Sequence, residues 1–285
     1  MIYAFLAYFC WGFFPLYWKL LSDVPALEIT LHRVIWSFVF YLILGFILEK
    51  KLLWPKIKKI QYFQLFIASF FILSNWLLYI YAVNSGQIIE SSLGYFINPF
   101  INILLGVFLL KEKLSKPTLV SLLFAAIGVL FISWDQHRIP WIALILAITF
   151  ALYGFSKKKI QINSLNSNKI EALFFVGPAI LYLVYLHYFH YDSTVHYSSY
   201  NMLLLMGGGI ITGVPLLFFS KAAQLVPLSI LGFFQFISPT LQFLSGVLIF
   251  NEPLSTNKLL GFILIWSGML FLTFTKYKQH SKVRN

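Results

Sequence analysis

"LGYFINPFINILLGVFLLKEKLS", residues 93–115, is an apolar stretch interrupted by a tyrosine, two asparagines and a proline. A related stretch, "ISPTLQFLSGVLIFNEPLS", occupies residues 237–255. Shifting the chain by 140 residues lays 99–131 over 239–271 with 11 identities in 33 positions and no gap. Pro99 meets Pro239, Gly106 meets Gly246, Glu112 meets Glu252 and Gly128 meets Gly268. Two leucine-rich helices share leucines by chance, but rarely proline, glycine and glutamate in register. Self-similarity at a fixed offset marks a duplication.

The rest of the chain says where these segments sit. Its 285 residues are 60% hydrophobic and 11% charged, more apolar surface than a soluble domain of this size can hide. A bilayer crossing takes about 20 mostly apolar residues. Ten segments qualify: 2–22, 28–49, 62–84, 88–110, 117–134, 139–158, 170–190, 202–224, 228–250 and 257–276. The first lacks a basic leader and a cleavage site, so it reads as a retained helix rather than a signal peptide. With the N-terminus inside, 16 of the 21 Lys and Arg residues fall on the cytoplasmic side, in clusters such as Lys56, Lys58, Lys59 and Lys157, Lys158, Lys159. That asymmetry predicts cytoplasmic termini. It also explains the net charge of +12 through anionic lipid headgroups, with no nucleic-acid partner.

The repeat offset spans five crossings, an odd number, so the second copy enters from the opposite side. The expected fold is an all-α integral membrane protein of ten transmembrane helices in two inverted five-helix repeats. The first unit is expected at 1–136 and the second at 137–285, the latter ending in a short basic tail. Inverted repeats are a recurring build of secondary transporters, with solute bound near the midplane between them.

Several stretches then resemble a known family. "AYFCWGFFPLYWKL" (7–20), "VPALEITLHRVIWSF" (24–38), "NWLLYIYAVNSGQIIESSLGYFINPF" (75–100) and "GFFQFISPTLQFL" (232–244) are similar to RarD-type permeases of the drug/metabolite transporter superfamily with EamA repeats. The resemblance implies a permease of the bacterial inner (plasma) membrane, often labelled as chloramphenicol-related. It also implies a central cavity lined chiefly by helices one, three, four, six, eight and nine.

Polar residues inside the membrane are the candidate site. Tyr95, Asn98 and Asn102 share one face of helix four, and Gln235, Ser238 and Gln242 repeat that spacing in helix nine. Both stripes are expected to face inward, serving either a solute or interhelical hydrogen bonding. Pro99 and Pro239 are expected to permit kinks. Trp11, Pro15 and Lys19 share a face of helix one, where Lys19 either meets solute or snorkels to headgroups. Arg33 lies within an apolar helix and is expected to face the bundle interior, in a functional role or paired with Glu28 or Asp23. Asn75, Trp76, Tyr79, Tyr81 and Tyr153 are further wall candidates. Lys19, Arg33 and Lys221 would suit a carboxylate-bearing or zwitterionic solute. Glu28, His32 and Glu90 are the proton-coupling candidates, with helix capping as the alternative for Glu90. Glu112 and Glu252, at helix ends, read as interfacial structure.

Other chemistries find little support. Cys10 is alone and apolar in context. His187, His190, Asp192 and His196 could bind a metal by chance spacing, but an exposed polar loop explains them, and no Ser-His-Asp set can be assigned, so neither metal, cofactor nor enzyme is expected. A receptor or scaffold would not need a duplicated polar interior. The expected partners are a small-molecule solute and membrane lipids, and the expected function is a secondary permease.

Overall fold

The computed structural model describes residues 1–49, 55, 57–110, 116–136, 139–160, 162–189, 198–225 and 234–284. All regular structure among them is helical. The first crossing is broken: α1 (Ile2–Gly12) ends at Phe13, α2 (Phe14–Trp18) follows, and a 3-10 turn covers Lys19–Leu21. Pro15 explains the break, because it has no N–H to close the bond to the Trp11 carbonyl four residues back. Then come α3 (Ala26–Glu49), α4 (Lys59–Asn84), α5 (Ile88–Leu110), α6 (Lys116–Gln136) and α7 (Trp141–Lys159). The rest are α8 (Ser164–Phe189), α9 (Ser199–Leu225), α10 (Ile237–Leu248) and α11 (Thr256–Arg284). Among the described residues, six helical segments are long and apolar enough to cross a bilayer by length and hydropathy alone.

Two boundaries depart from the hydropathy reading for physical reasons. Helix α8 starts six residues before the expected 170, through a polar first turn. Asn163 Oδ1 accepts the Leu165 N–H at 2.9 Å, and the buried Lys157 Nζ lies 2.7 Å from Glu171 Oε1. Lys157 also donates to Asn168 Oδ1 at 2.8 Å. A hydropathy window cannot see that these charges neutralise one another. The prolines act differently in the two repeats: α5 runs unbroken through Pro99, whereas a turn at Phe236 interrupts the helix just before Pro239.

Packing reproduces the inverted repeat. Helix α5 packs on α10, α6 on α11 and α3 on α8, each on its own counterpart. Other contacts between the repeats come in exchanged pairs: α1 with α9 and α10 matches α7 with α4 and α5, and α3 with α9 matches α8 with α4. The first crossing of each repeat therefore lies against the other repeat. One close contact occurs twice. A Cβ on Gly128 would stand 2.6 Å from the Gly261 carbonyl oxygen, and one on Gly268 would stand 3.1 Å from that of Ser121. Both members of this pair are related by the same 140-residue shift.

The surface is inside-out relative to a soluble protein. Phe46, Leu48, Leu130, Leu181 and Leu203 point outward, while Arg33, Asn75, Asn98, Lys157, Glu171 and Gln242 are buried. In hydrocarbon there is no water to satisfy polar groups, so they turn inward.

At one end of the bundle Asn251 adopts the left-handed conformation (φ 50°), which asparagine tolerates better than most residues. The turn brings Glu252 onto the start of α5, where Oε1 accepts the Ile88 N–H at 2.7 Å and Oε2 the Ile89 N–H at 2.8 Å. Burial pushes the Glu252 carboxyl above its ordinary range, opposed by these two amides and by Lys19 and Lys258. Its repeat counterpart Glu112 lies outside the described residues, as do His190, Asp192 and His196.

The glycine contacts make a direct prediction. Gly128→Ala or Gly261→Ala should lower the thermal unfolding temperature of the detergent-purified protein, since the new methyl meets backbone. Gly154→Ala, where nothing lies within 4 Å, should leave it unchanged or raise it through helix propensity worth about 0.5–1 kcal/mol.

Candidate functional site

Helix α9 carries the stretch "GGGIITG", residues 207–213, and its glycines decide how it meets α3. A Cβ on Gly209 would stand 2.4 Å from the Trp36 carbonyl, and one on Gly213 would stand 2.4 Å from the Phe40 ring. Only glycine permits this approach. It sets Thr212 against Arg33, whose Nε donates to Thr212 Oγ1 at 3.0 Å. The guanidinium carbon of Arg33 lies 4.5 Å from the ring centroids of both Trp18 and Trp76, and 5.8 Å from that of Phe14. Neither expected ion pair forms. Asp23 accepts from Asn201 instead, at 2.8 Å, and no carboxylate pairs with Arg33 among the described residues.

Arg33 lines a central cavity. Helices α1 and α2 contribute Tyr8, Trp11 and Phe14, and α4 contributes Ile72, Asn75, Trp76 and Tyr79. Tyr95 comes from α5 and Phe150 from α7. Gln235, just ahead of α10, and Ser238 and Gln242 on α10 close the circuit. The cavity is mostly aromatic with a few converging amides and hydroxyls, the usual make-up of a small-molecule site.

A hydrogen-bond net holds the polar wall. Tyr95 OH donates to Asn75 Oδ1 at 2.9 Å, and Asn75 Nδ2 donates to the Leu146 carbonyl and to Thr149 Oγ1, both at 3.0 Å. Gln242 Nε2 donates to Ser238 Oγ at 3.0 Å, and Asn102 Nδ2 donates to Asn98 Oδ1 at the same distance. Those two bonds are images of each other under the repeat shift. Gln242 Nε2 also reaches the Trp11 carbonyl at 3.0 Å, the one that Pro15 leaves unclosed.

The structure thus brings Trp11, Arg33, Asn75, Trp76, Tyr79, Tyr95, Gln235, Ser238 and Gln242 together around one cavity. It places five other wall candidates elsewhere, one of them Tyr81, which is exposed on the bundle surface. Asn98 is fully buried between helices, donating to the Ala147 carbonyl at 2.7 Å and accepting from Gln235 and Asn102. Asn102 lies one turn beyond it. Lys19 sits at the end of the bundle and donates to the Val83 carbonyl at 3.3 Å. Tyr153 stacks on Phe219, with its hydroxyl 3.4 Å from Glu171. Glu28, His32 and Glu90 are all buried, and His32 Nδ1 accepts from Trp36 Nε1 at 3.3 Å. Lys221 lies 4.5 Å from the Tyr3 ring, away from the cavity.

Sequence reasoning missed Tyr8, Phe14, Ile72 and Phe150, which read as ordinary apolar residues. It also missed Thr212, although the glycines around it were a usable signal for close packing. Helix α9, expected in the wall, contributes none of its described lining, while α3 enters through Arg33.

A polytopic helical bundle built from an inverted repeat around such a cavity is the architecture of a membrane transporter. The chain belongs to the EamA-like transporter family, whose model matches residues 1–134. It is 40% identical over 289 residues to the transporter YojE of Bacillus subtilis, covering 99% of this chain and 96% of that one. It is likewise 40% identical to the protein RarD of Escherichia coli K12, covering 98% and 95%. A solved crystal structure shares the fold at a TM-score of 0.69 and 16% identity, over 96% of this chain and 97% of that one.

Asn98 should matter more for stability than for selectivity. Asn98→Leu strands the Ala147 carbonyl and the Gln235 amide, a loss of about 1–3 kcal/mol per unsatisfied group. Its unfolding temperature in detergent should fall further than that of Asn102→Leu.

Proposed function

We propose that this chain is a secondary transporter that moves a small organic solute, such as an amino acid, another metabolite or a chloramphenicol-like compound, by alternating access. The observation that carries the reading is the aromatic and amide-lined cavity with side chains from both repeats in its wall. Residues 1–136 and 137–285 act as the two inverted units. The protein lies in the bacterial plasma membrane with both termini in the cytoplasm, as the distribution of lysines supports.

In this reading Trp11, Trp76, Tyr79 and Tyr95 hold the body of the solute, and Asn75, Gln235, Ser238 and Gln242 orient it. Asn98 and Asn102 brace the wall from behind. Lys19 and Tyr153 act at a distance from the solute, through the bundle end and the Glu171 cluster respectively. Glu28, His32 and Glu90 are the groups to test for proton coupling, because each is buried and ionisable.

Proteoliposome flux of labelled amino acids, other metabolites and chloramphenicol is the direct test. Wild-type protein should accelerate exchange of at least one solute over empty vesicles. Trp76→Ala and Gln242→Leu should each reduce its initial rate by about tenfold or more, the loss expected for about 1.4 kcal/mol of binding or transition energy. A panel with no accelerated solute, or variants that move it at the wild-type rate while folded, would remove the cavity as the transport site.

A further inference from the structure

The charge of Arg33 is 1% exposed in a lipid-embedded bundle, and no carboxylate pairs with it among the described residues. A buried cation left in that state is costly unless something supplies the balancing charge. The protein supplies only part of what is needed. The indoles of Trp18 and Trp76 cover the guanidinium, and this cation–π contact offsets some of the desolvation. It uses none of the five N–H donors. Thr212 takes Nε, and Nη1 is buried without a hydrogen-bond partner among the described residues. The terminal edge of the guanidinium, which carries the unpartnered Nη1, is what remains for the cavity to use. That edge is the fork that matches a carboxylate.

Two neighbours extend the pattern. The Tyr79 hydroxyl is also buried without a partner, and its ring lies 6.5 Å from that of Phe14, the residue that flanks Arg33 as well. Phenol and guanidinium are both donors suited to an anionic oxygen. Gln242 Oε1 is a further buried atom of the wall without a hydrogen-bond partner among the described residues, and it offers an acceptor. Phe150 meets both Trp11 and Tyr95 edge-to-face, with ring centroids 5.7 Å apart in each pair, so the wall beside these groups is aromatic and suits an apolar ring.

We propose that the cavity takes a solute with one carboxylate and an apolar, planar body, and that Arg33 receives the carboxylate while Tyr79 donates to it. The assignment rests on the reading of the cavity as the transport site. Charge balance selects the class: one uncompensated cation is neutralised by a monoanion, whereas a dianionic phosphate leaves a buried excess. Gln242 Oε1 can accept from a neutral hydroxyl or amide N–H donor on the same solute.

The test compares matched pairs that differ only in charge: benzoate with benzamide, 3-phenylpropionate with 3-phenylpropionamide, and N-acetylphenylalanine with its amide. Binding is read at pH 7 from thermal shift and tryptophan fluorescence of the whole protein in detergent. In at least one pair the carboxylate should bind about tenfold or more tightly than the amide. That preference should vanish in Arg33→Gln and shrink in Arg33→Lys, which keeps the charge but not the fork. If Arg33→Gln does not fold, the wild-type pairs and Arg33→Lys still decide. Equal binding within every pair, or a preference that survives in Arg33→Gln, overturns the assignment. Flux in proteoliposomes without carboxylate preference would sink this inference and leave the transporter reading standing. Carboxylate binding with no flux of any solute would do the reverse.

Discussion

Hydrocarbon offers a protein no hydrogen bonds, and most of this molecule follows from that. Backbone groups must be satisfied within each crossing, which makes the chain helical wherever it spans. Side chains with polar atoms must find partners inside the bundle, which turns Asn75, Asn98, Gln235 and Gln242 inward. Charges must be neutralised locally, and Lys157 with Glu171 shows how: a 2.7 Å pair, with Ser167 and Asn168 taking the remaining ammonium donors. Arg33 is the buried cation that the described residues do not neutralise in this way, so the same constraint that shapes the fold singles out the site.

Duplication multiplies the constraint. A polar stripe written once needs a partner, and when the gene is doubled and inverted the partner is the stripe's own copy. Helices α5 and α10 pack on each other, Asn98 accepts from Gln235, and each copy keeps its internal amide bond at 3.0 Å. The glycines do the corresponding work on the apolar side, letting α6 and α11 approach until backbone meets backbone. Symmetry does not extend to every detail. Pro99 sits in an unbroken helix while Pro239 follows a turn, so identical residues at matching positions have different local consequences.

This explains which features could be read from the chain alone. The repeat, the helices and the inward direction of the stripes were legible because each is a pattern along the sequence. Nine of the residues picked out as wall candidates do line the cavity, since a tyrosine, amide or arginine inside a membrane helix has few other places to go. Asn98 and Gln242 show the limit. Both are buried amides on the same kind of stripe, but one is saturated by three protein groups and the other keeps a free oxygen in the cavity. That difference depends on where α7 places the Ala147 carbonyl, which no local pattern encodes. Lys19, which the sequence left between solute and headgroups, lies at the bundle end on the Val83 carbonyl. The polar start of α8 was hidden because pairing, not hydropathy, makes it tolerable.

The exchange of first crossings has a mechanical consequence. Helices α4, α5 and α7 form one packed group, and α1, α9 and α10 form another, so each group draws on both repeats. Many of the bonds that build the cavity wall lie within a group, such as Asn75 to Leu146 or Gln242 to Trp11, and a relative movement of the groups leaves them intact. Those that cross between groups are of another kind. Asn98 with Gln235 bridges them at the cavity, while Lys19 with Val83 and Glu252 with Ile88 and Ile89 bridge them near one end. The end bridges use charged side chains on backbone groups at helix termini, where water can replace either partner. Apolar packing of comparable extent would have no such substitute. If the groups move as the proposed alternating access requires, these end contacts can be exchanged with water at lower cost than the apolar packing of α5 on α10 can be separated, and the bonds within each group need not change.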